Sequence, residues 1–454
     1  MGHPDSADQR RKVLLCLLVL SAVAAFALYH FTGRDYPFYG DELELFDAAK
    51  SLAKDGLFSK FTFSDRRPYL FPLILSLVPN KRDLVFAVQL LAFECAAAAL
   101  FLFLSARTQG RQLWLGGTVI FLNVFALLYL GYALTETFSI VFIFAFAMAL
   151  IRACEPGHSK SLSAFLAGVA FGCAVMVRPS NLFLVAPLPI LLLSDWIASG
   201  ARLGQRLTAS LERLLGFAAG FCLLALPQFH NNLRYYQSPT PVVTSYEKQA
   251  KFDRDLVEKS IKYATAISAK SNKAVPAIYQ DPFRSARASE QRLTRVSARA
   301  AKRVTTLFAL IDQDRPIPYN REMTPWYRLP ASLLSLAMFF VGLVGVLGEW
   351  GGALLIPGTP LQRLRQLFTR ERLPALVLGS TGLACLVAFS EFHTEARYGL
   401  PGLVLLSCFI PQARALWQSS GTRRRVLLAS AFGAWMALGI FLSYWIERDI
   451  VIPR

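Results

Sequence analysis

Eleven apolar stretches divide the chain, at residues 13–31, 84–105, 113–132, 134–151, 162–177, 181–197, 214–229, 331–347, 373–389, 398–410 and 426–446. A helix needs roughly 20 mostly apolar residues to cross about 30 Å of hydrocarbon, and it satisfies its own backbone hydrogen bonds there. The stretches at 134–151, 162–177 and 398–410 are short by that measure. With 54% hydrophobic residues and a mean hydropathy of +0.41, 454 residues carry more apolar surface than a soluble core of that size buries. The expected fold is an all-α polytopic membrane protein of about eleven transmembrane helices.

Short cytoplasmic loops collect Lys and Arg, which orients the chain. With the N-terminus inside, the cytoplasmic segments hold Arg10, Arg11, Lys12, Arg107, Arg111, Arg152, Lys160, Arg202, Arg206, Arg213 and the arginines of 363–372 and 414–425. The short outer turns hold only Arg178 and Arg397. An odd number of spans then places residues 447–454 outside and makes 32–83 and 230–330 long external segments, which are exempt from the charge rule. The expected organisation is a cytoplasmic start and first span (1–31), a first external loop (32–83), spans two to seven (84–229), a large external helical loop (230–330), and spans eight to eleven with an external tail (331–454). No small-residue cleavage site precedes Gly33, so the first apolar run reads as an uncleaved anchor.

The seven cysteines lie in spans or, for Cys154, in a cytoplasmic turn, so the outer loops contain no disulfide framework. No Cys or His spacing suggests a metal. In a soluble protein the formal charge of +18 would suggest a nucleic-acid partner, but here residues 230–330 carry 18 Lys/Arg against 9 Asp/Glu. Within 283–311, Leu293, Val296, Ala300, Val304 and Leu307 recur at helical spacing among arginines. That pattern suits a helix on anionic headgroups, or equally a basic helix docked on the rest of the protein. Membrane lipids are therefore expected partners, and nucleic acid is not.

The first external loop is where chemistry is expected. Asp41, Glu42 and Glu44 open an amphipathic helix with Leu43, Phe46, Ala49 and Leu52 on one face and Gly56 as its stop. Adjacent acids at a helix start suit proton abstraction from an attacking hydroxyl, the neighbour raising that basicity or binding a cation. Asp41 with Glu44 three residues on also forms a capping-box-like start that needs no catalysis. Further along, Arg66 and Arg67 precede a short apolar helix at 70–78. Two arginines at headgroup depth suit a phosphate, or ordinary anchoring to phospholipid.

The run Tyr39-Gly40-Asp41-Glu42, followed by Arg67-Pro68-Tyr69-Leu70-Phe71-Pro72, resembles the first external loop of the GT-C membrane glycosyltransferases. It is most similar to their polyprenyl-phosphate-sugar branch, which includes protein O-mannosyltransferases and lipid A aminoarabinose transferases. Tyr69 stands where that branch often has a second proline, and Glu44-Leu45 where it often has a basic residue and tyrosine. Thr135-Glu136-Thr137, Arg178-Pro179, the run from Pro227 to Asn232 and the run from Glu395 to Pro401 follow in the expected order. Residues 238–324 have no counterpart in the resemblance.

The resemblance implies a sugar moved from a polyprenyl-phosphate donor to a hydroxyl of a lipid, glycan or protein acceptor at the external membrane face; a single displacement by one base would invert the anomeric centre, and the Arg-rich cytoplasmic loops and compact form suggest a bacterial inner membrane. It implies Asp41 as the base, Glu42 second, and Arg66, Arg67, Arg178, Arg397 and Tyr398 around the donor phosphate. Tyr39, Glu136, His230, Asn231, His393 and Glu395 would line the pocket. No cofactor is required, and a divalent metal is left open. Each residue has a plainer role too. Arg178 can anchor a hairpin before Pro179, Arg397 can pair with Glu391 or Glu395 in a turn, and His230 and His393 can simply end helices. Asp312-Gln313-Asp314 reads as loop chemistry. Glu94, mid-span, is the feature that favours a transporter or flippase of a lipid-linked or anionic substrate. A non-catalytic assembly factor using its basic outer loop is the third reading.

Overall fold

The computed structural model describes residues 5–32, 38, 40–78, 81–106, 111–155, 160–198, 203–243, 307–308, 311, 324–389 and 396–449. Among them there is no strand. Nine described helices are long and apolar enough to cross a membrane, a pair bent by 45° makes a tenth candidate, and one shorter apolar helix stands beside them. Each of the eleven apolar stretches falls on one of these, so the all-α polytopic fold expected from the sequence is the fold observed.

In chain order the helices are α1 (Asp5–Thr32), α2 (Asp41–Asp55), α3 (Leu70–Ser76), α4 (Arg82–Ser105), α5 (Arg111–Phe121), α6 (Val124–Leu128), α7 (Glu136–Cys154), α8 (Lys160–Val177), α9 (Leu188–Ala198) and α10 (Leu203–Tyr236). They continue with α11 (Thr324–Leu354), α12 (Pro360–Leu367), α13 (Leu373–Phe389), α14 (Ala396–Ser407), α15 (Ile410–Ser419) and α16 (Thr422–Asp449). The segment expected to form one span at 113–132 is broken: Asn123 caps α6 by accepting from the Ala126 N–H at 3.2 Å, and Tyr129–Gly131 closes as a 3-10 turn. The span after Arg178 likewise begins as a 3-10 segment, Pro179–Val185, before α9. The last turns of the stretch at 214–229 extend the other way, because α10 runs 34 residues and carries His230, Asn231 and Asn232 as helical positions.

Small residues let the spans approach closely, as expected where lipid offers no hydrophobic drive for association. At the crossing of α8 and α10, a methyl on Gly168 would lie 2.0 Å from the Phe217 carbonyl oxygen, and one on Gly220 would lie 2.2 Å from that of Phe165. Phenylalanines fill the centre: Phe93, Phe121, Phe125, Phe144 and Phe146 are fully buried. The outer faces are apolar as well, with Leu207, Leu211, Leu215, Leu223 and Leu226 of α10 exposed, which suits a hydrocarbon surround.

At the end of the bundle opposite the first loop, Arg213 is buried and ties α10 to α9. Its Nη2 donates to Asp195 Oδ1 at 2.5 Å, and its Nη1 to Ser194 Oγ at 2.5 Å and the Leu191 carbonyl at 3.2 Å. Lys160 Nζ reaches the same Asp195 oxygen at 3.2 Å. Removing one partner of a buried pair leaves the other charge uncompensated, at a cost of about 3–5 kcal/mol. Arg213→Ala is therefore expected to lower the thermal midpoint of the detergent-purified protein by many degrees. A midpoint equal to that of the unaltered protein would mean that the pin contributes nothing.

Candidate active site

Two ionic clusters organise the end of the bundle that carries α2 and α3. The first is buried. Glu42 has no exposed surface and Arg82, the first residue of α4, has little. They meet as a fork: Arg82 Nη1 donates to Glu42 Oε1 and Nη2 to Oε2, both at 3.0 Å. Arg82 Nη1 also reaches the Gly131 carbonyl at 2.8 Å, and the Ala133 N–H donates to Glu42 Oε1 at 2.8 Å. The rings of Phe38 and Tyr132 lie 4.4 and 5.7 Å from the guanidinium. Four hydrogen bonds and two aromatic faces offset the desolvation of this pair. Glu42 thus joins the start of α2 to α4 and to the turn after α6.

That pairing sets the rotation of α2. Its buried side carries Glu42, Leu45, Phe46, Ala49 and Leu52, whereas Leu43, expected on the apolar face, is 49% exposed. The capping-box alternative is not realised either. The residue before the helix is Gly40, with φ of 54° and no side-chain cap, and Glu44 turns to an arginine instead. Gly56 ends the helix as expected, at φ of 87°, its N–H bonded to the Leu52 carbonyl at 2.9 Å.

The second cluster gathers around Asp41. Arg67 Nη2 donates to Asp41 Oδ1 at 2.6 Å, and Arg397 Nη1 to Oδ2 at 3.0 Å. Glu44 Oε2 accepts from Arg67 Nε at 3.3 Å and Nη2 at 3.0 Å, while Arg66 Nη1 stands 3.8 Å from Glu44 Oε1. These side chains keep a fifth to a third of their surface exposed, apart from Arg66, which keeps about half. Burial raises the Asp41 pKa, but the charges and hydrogen bonds of Arg67 and Arg397 outweigh it and hold the carboxyl below the ordinary carboxylate range. Burial alone would lower the Arg67 pKa; Asp41 and Glu44 hold it above the usual value.

Arg67 is positioned by a loop folded on itself and pinned to α10. The N–H groups of Arg66 and Arg67 both reach the Phe63 carbonyl, at 2.8 and 2.7 Å. Ser64 Oγ and the Tyr236 hydroxyl share a hydrogen bond of 2.7 Å, and the Tyr69 hydroxyl donates to the Leu224 carbonyl at 2.8 Å. Asn231, expected in the pocket, instead donates to the Leu57 carbonyl at 3.1 Å, and His230 packs edge-on against Phe58 with ring centres 5.4 Å apart. Both hold the far end of the loop.

Arg397, the second residue of α14, leads into Tyr398, whose ring lies 5.4 Å from the Arg397 guanidinium and 4.4 Å from that of Arg178. Arg178 Nη1 donates to Glu136 Oε1 at 3.0 Å, so the start of α7 and the end of α8 meet there. The structure thus brings Asp41, Arg66, Arg67 and Arg397 together, with Arg178, Tyr398 and Glu136 beside them. Tyr39, His393 and Glu395 lie outside the described residues, as do the basic segment 283–306 and Asp312-Gln313-Asp314. Among the described residues no three His, Cys, Asp or Glu side chains gather as they would around a metal. Glu94 lies within α4, 9% exposed, next to Ser21 of α1.

No family model matches the sequence, and no curated protein matches it. Two solved structures are similar. The crystal structure of the Archaeoglobus fulgidus oligosaccharyltransferase in the apo form is 12% identical, with a TM-score of 0.50 over 95% of this chain and 54% of that one. The archaeal oligosaccharyltransferase AglB from the same organism, in complex with an inhibitory peptide and a dolichol-phosphate, is 13% identical with a TM-score of 0.49, over 95% of this chain and 55% of that one. The chain spans about half the length of the structures it matches. At this identity the likeness is one of fold alone: the helical architecture of this chain is similar to that of part of the apo oligosaccharyltransferase.

Proposed function

We propose that the protein is a GT-C type glycosyltransferase that moves a sugar from a polyprenyl-phosphate donor to a hydroxyl acceptor at the external face of a bacterial inner membrane. The convergence of Asp41 with Arg67 and Arg397, the latter 356 positions away in sequence, carries this reading. A lipid-linked donor keeps its chain in the bilayer and its phosphate at the interface, which is the depth expected for a loop at the end of the spans. Three guanidinium groups and two carboxylates in the cluster leave one positive charge, which a phosphodiester monoanion balances.

The chemistry asked of these side chains is modest. Asp41 takes the proton of the acceptor hydroxyl as its oxygen bonds to the anomeric carbon. The bond from that carbon to the phosphate oxygen breaks, and the lipid phosphate leaves with one additional negative charge. Arg67 and Arg397, with Arg66 and Arg178 nearby, stabilise that growing charge. A single displacement inverts the anomeric centre. Glu42, fully engaged by Arg82, positions Asp41 rather than taking a proton itself. Arg-rich inner loops with a cytoplasmic N-terminus support the orientation, and the acceptor is a lipid, a glycan or a protein.

Mass spectrometry of lipid extracted from the purified protein tests the reading. The unaltered protein is expected to carry polyprenyl phosphate or its glycoside, and the attached sugar is then read directly. Arg397→Ala is expected to retain roughly a tenth as much, since hydrogen bonds between charged groups contribute about 1.5–3 kcal/mol. Equal retention of ordinary phospholipid and no polyprenyl species in either would sink the donor assignment. A carrier built on Glu94 would instead translocate the lipid without transfer, which the same preparation distinguishes in sealed vesicles.

A further inference from the structure

The guanidinium forks that a donor phosphate needs are held by carboxylates of the chain itself. Asp41 is bonded on both oxygens, by Arg67 at 2.6 Å and Arg397 at 3.0 Å. Arg67 is shared with Glu44, to which its Nε donates at 3.3 Å and its Nη2 at 3.0 Å. A carboxylate clamped in this way is a poor proton acceptor, because protonation would forfeit two charge-assisted hydrogen bonds. It is also geometrically committed: both of its oxygens face arginine. A phosphodiester presents two non-bridging oxygens that match the same fork.

We infer, resting on the glycosyltransferase reading, that Asp41 and Glu44 act as resident stand-ins for the donor phosphate, and that the arriving phosphodiester takes Arg67 and Arg397 from them and frees Asp41 to face the acceptor. Donor binding is then an exchange of partners. It couples two events that a fixed site would leave independent, occupancy of the donor subsite and competence of the base. An acceptor reaching the site first meets an Asp41 that cannot take its proton, so the binding order is donor before acceptor.

The exchange has a signature opposite to that of simple electrostatic or structural support. Removing a competing anion strengthens the binding of another, and reciprocal couplings of this kind typically span about 5–150-fold. The probe is undecaprenyl phosphate in detergent micelles, titrated against the full chain with affinity read by thermophoresis. Asp41→Asn is expected to bind it about tenfold tighter than the unaltered protein. Glu44→Gln is expected to bind it more tightly too, by a smaller factor, and keeps the proposal testable should the first variant fold poorly. Arg67→Ala and Arg397→Ala are expected to bind it at least tenfold more weakly. Unchanged or weaker binding in Asp41→Asn and Glu44→Gln, with weakened binding in the arginine variants, would overturn the exchange and leave the donor site standing. Unchanged binding in all four would remove the donor site itself.

Discussion

Asp41→Asn is expected to slow sugar transfer by about 10²–10⁴-fold, the range for loss of a positioned general base, while the protein folds and melts nearly as before. Asparagine keeps the shape of the side chain and the start of α2 but cannot take a proton. Arg67 retains Glu44, and ion pairs that keep a fifth to a third of their surface exposed are partly screened by solvent, so no large structural loss accompanies the change. The pH dependence follows from the sign of the shift. Burial raises the Asp41 pKa, Arg67 and Arg397 lower it more, and the result lies below the ordinary carboxylate range. A depressed acid stays ionised at neutral pH; its contribution is present above the ordinary carboxylate pKa and is lost as pH falls through the depressed value. The kcat/KM for the donor, which reports the free enzyme, is therefore expected to show no acid limb between roughly pH 5 and 7. If the donor takes the two arginines, the limb of kcat moves to higher pH than that of kcat/KM. Transfer by Asp41→Asn at the original rate would end the assignment of the base.

The spans were legible because a bilayer imposes one strong requirement, a long apolar helix, and eleven stretches meet or approach it. Their internal breaks were not. Asn123 within an apolar run reads as a tolerated polar residue, and its role as the cap of α6 depends on where Ser407 and the neighbouring helices leave room. The reach of α10 past both ends of its apolar window was hidden because Arg206, Glu212 and Arg213 interrupt the hydropathy without interrupting the helix. In the site, the acids and arginines of the first loop were visible as residue types. Their division of labour was not, since Asp41 and Glu42 are neighbours that helical geometry turns about 100° apart, one toward a half-open cluster and the other into the core. Arg82 was passed over because an arginine at the head of a span is what interfacial anchoring also produces, and only the fold places Glu42, Phe38 and Tyr132 around it. His230 and Asn231 have the polarity of pocket residues, but Asn231 bonds to the Leu57 carbonyl of the first loop and His230 packs on the ring of Phe58.

Arg82→Ala is expected to be the most damaging single change at this end of the molecule. It takes both bonds of the fork from the buried Glu42 and removes the guanidinium from between Phe38 and Tyr132, at a cost of about 3–5 kcal/mol for the uncompensated charge. Little folded protein should be recovered as a single peak on size exclusion. The companion variant Arg82→Met with Glu42→Gln removes both charges together and keeps most of the volume. Replacing a buried pair with neutral groups is frequently harmless to stability, so the doubly altered protein should be recovered in far better yield than Arg82→Ala. Its transfer rate should nevertheless stay low, because nothing then fixes the rotation of α2 that turns Asp41 toward Arg67 and Arg397. If folding and transfer returned together, the Glu42–Arg82 fork would be a matter of stability alone. Recovery of the fold without the activity would instead place the pair in the machinery that aims the base, and its coupling to Asp41 could be measured as a non-additive term between the two sets of substitutions.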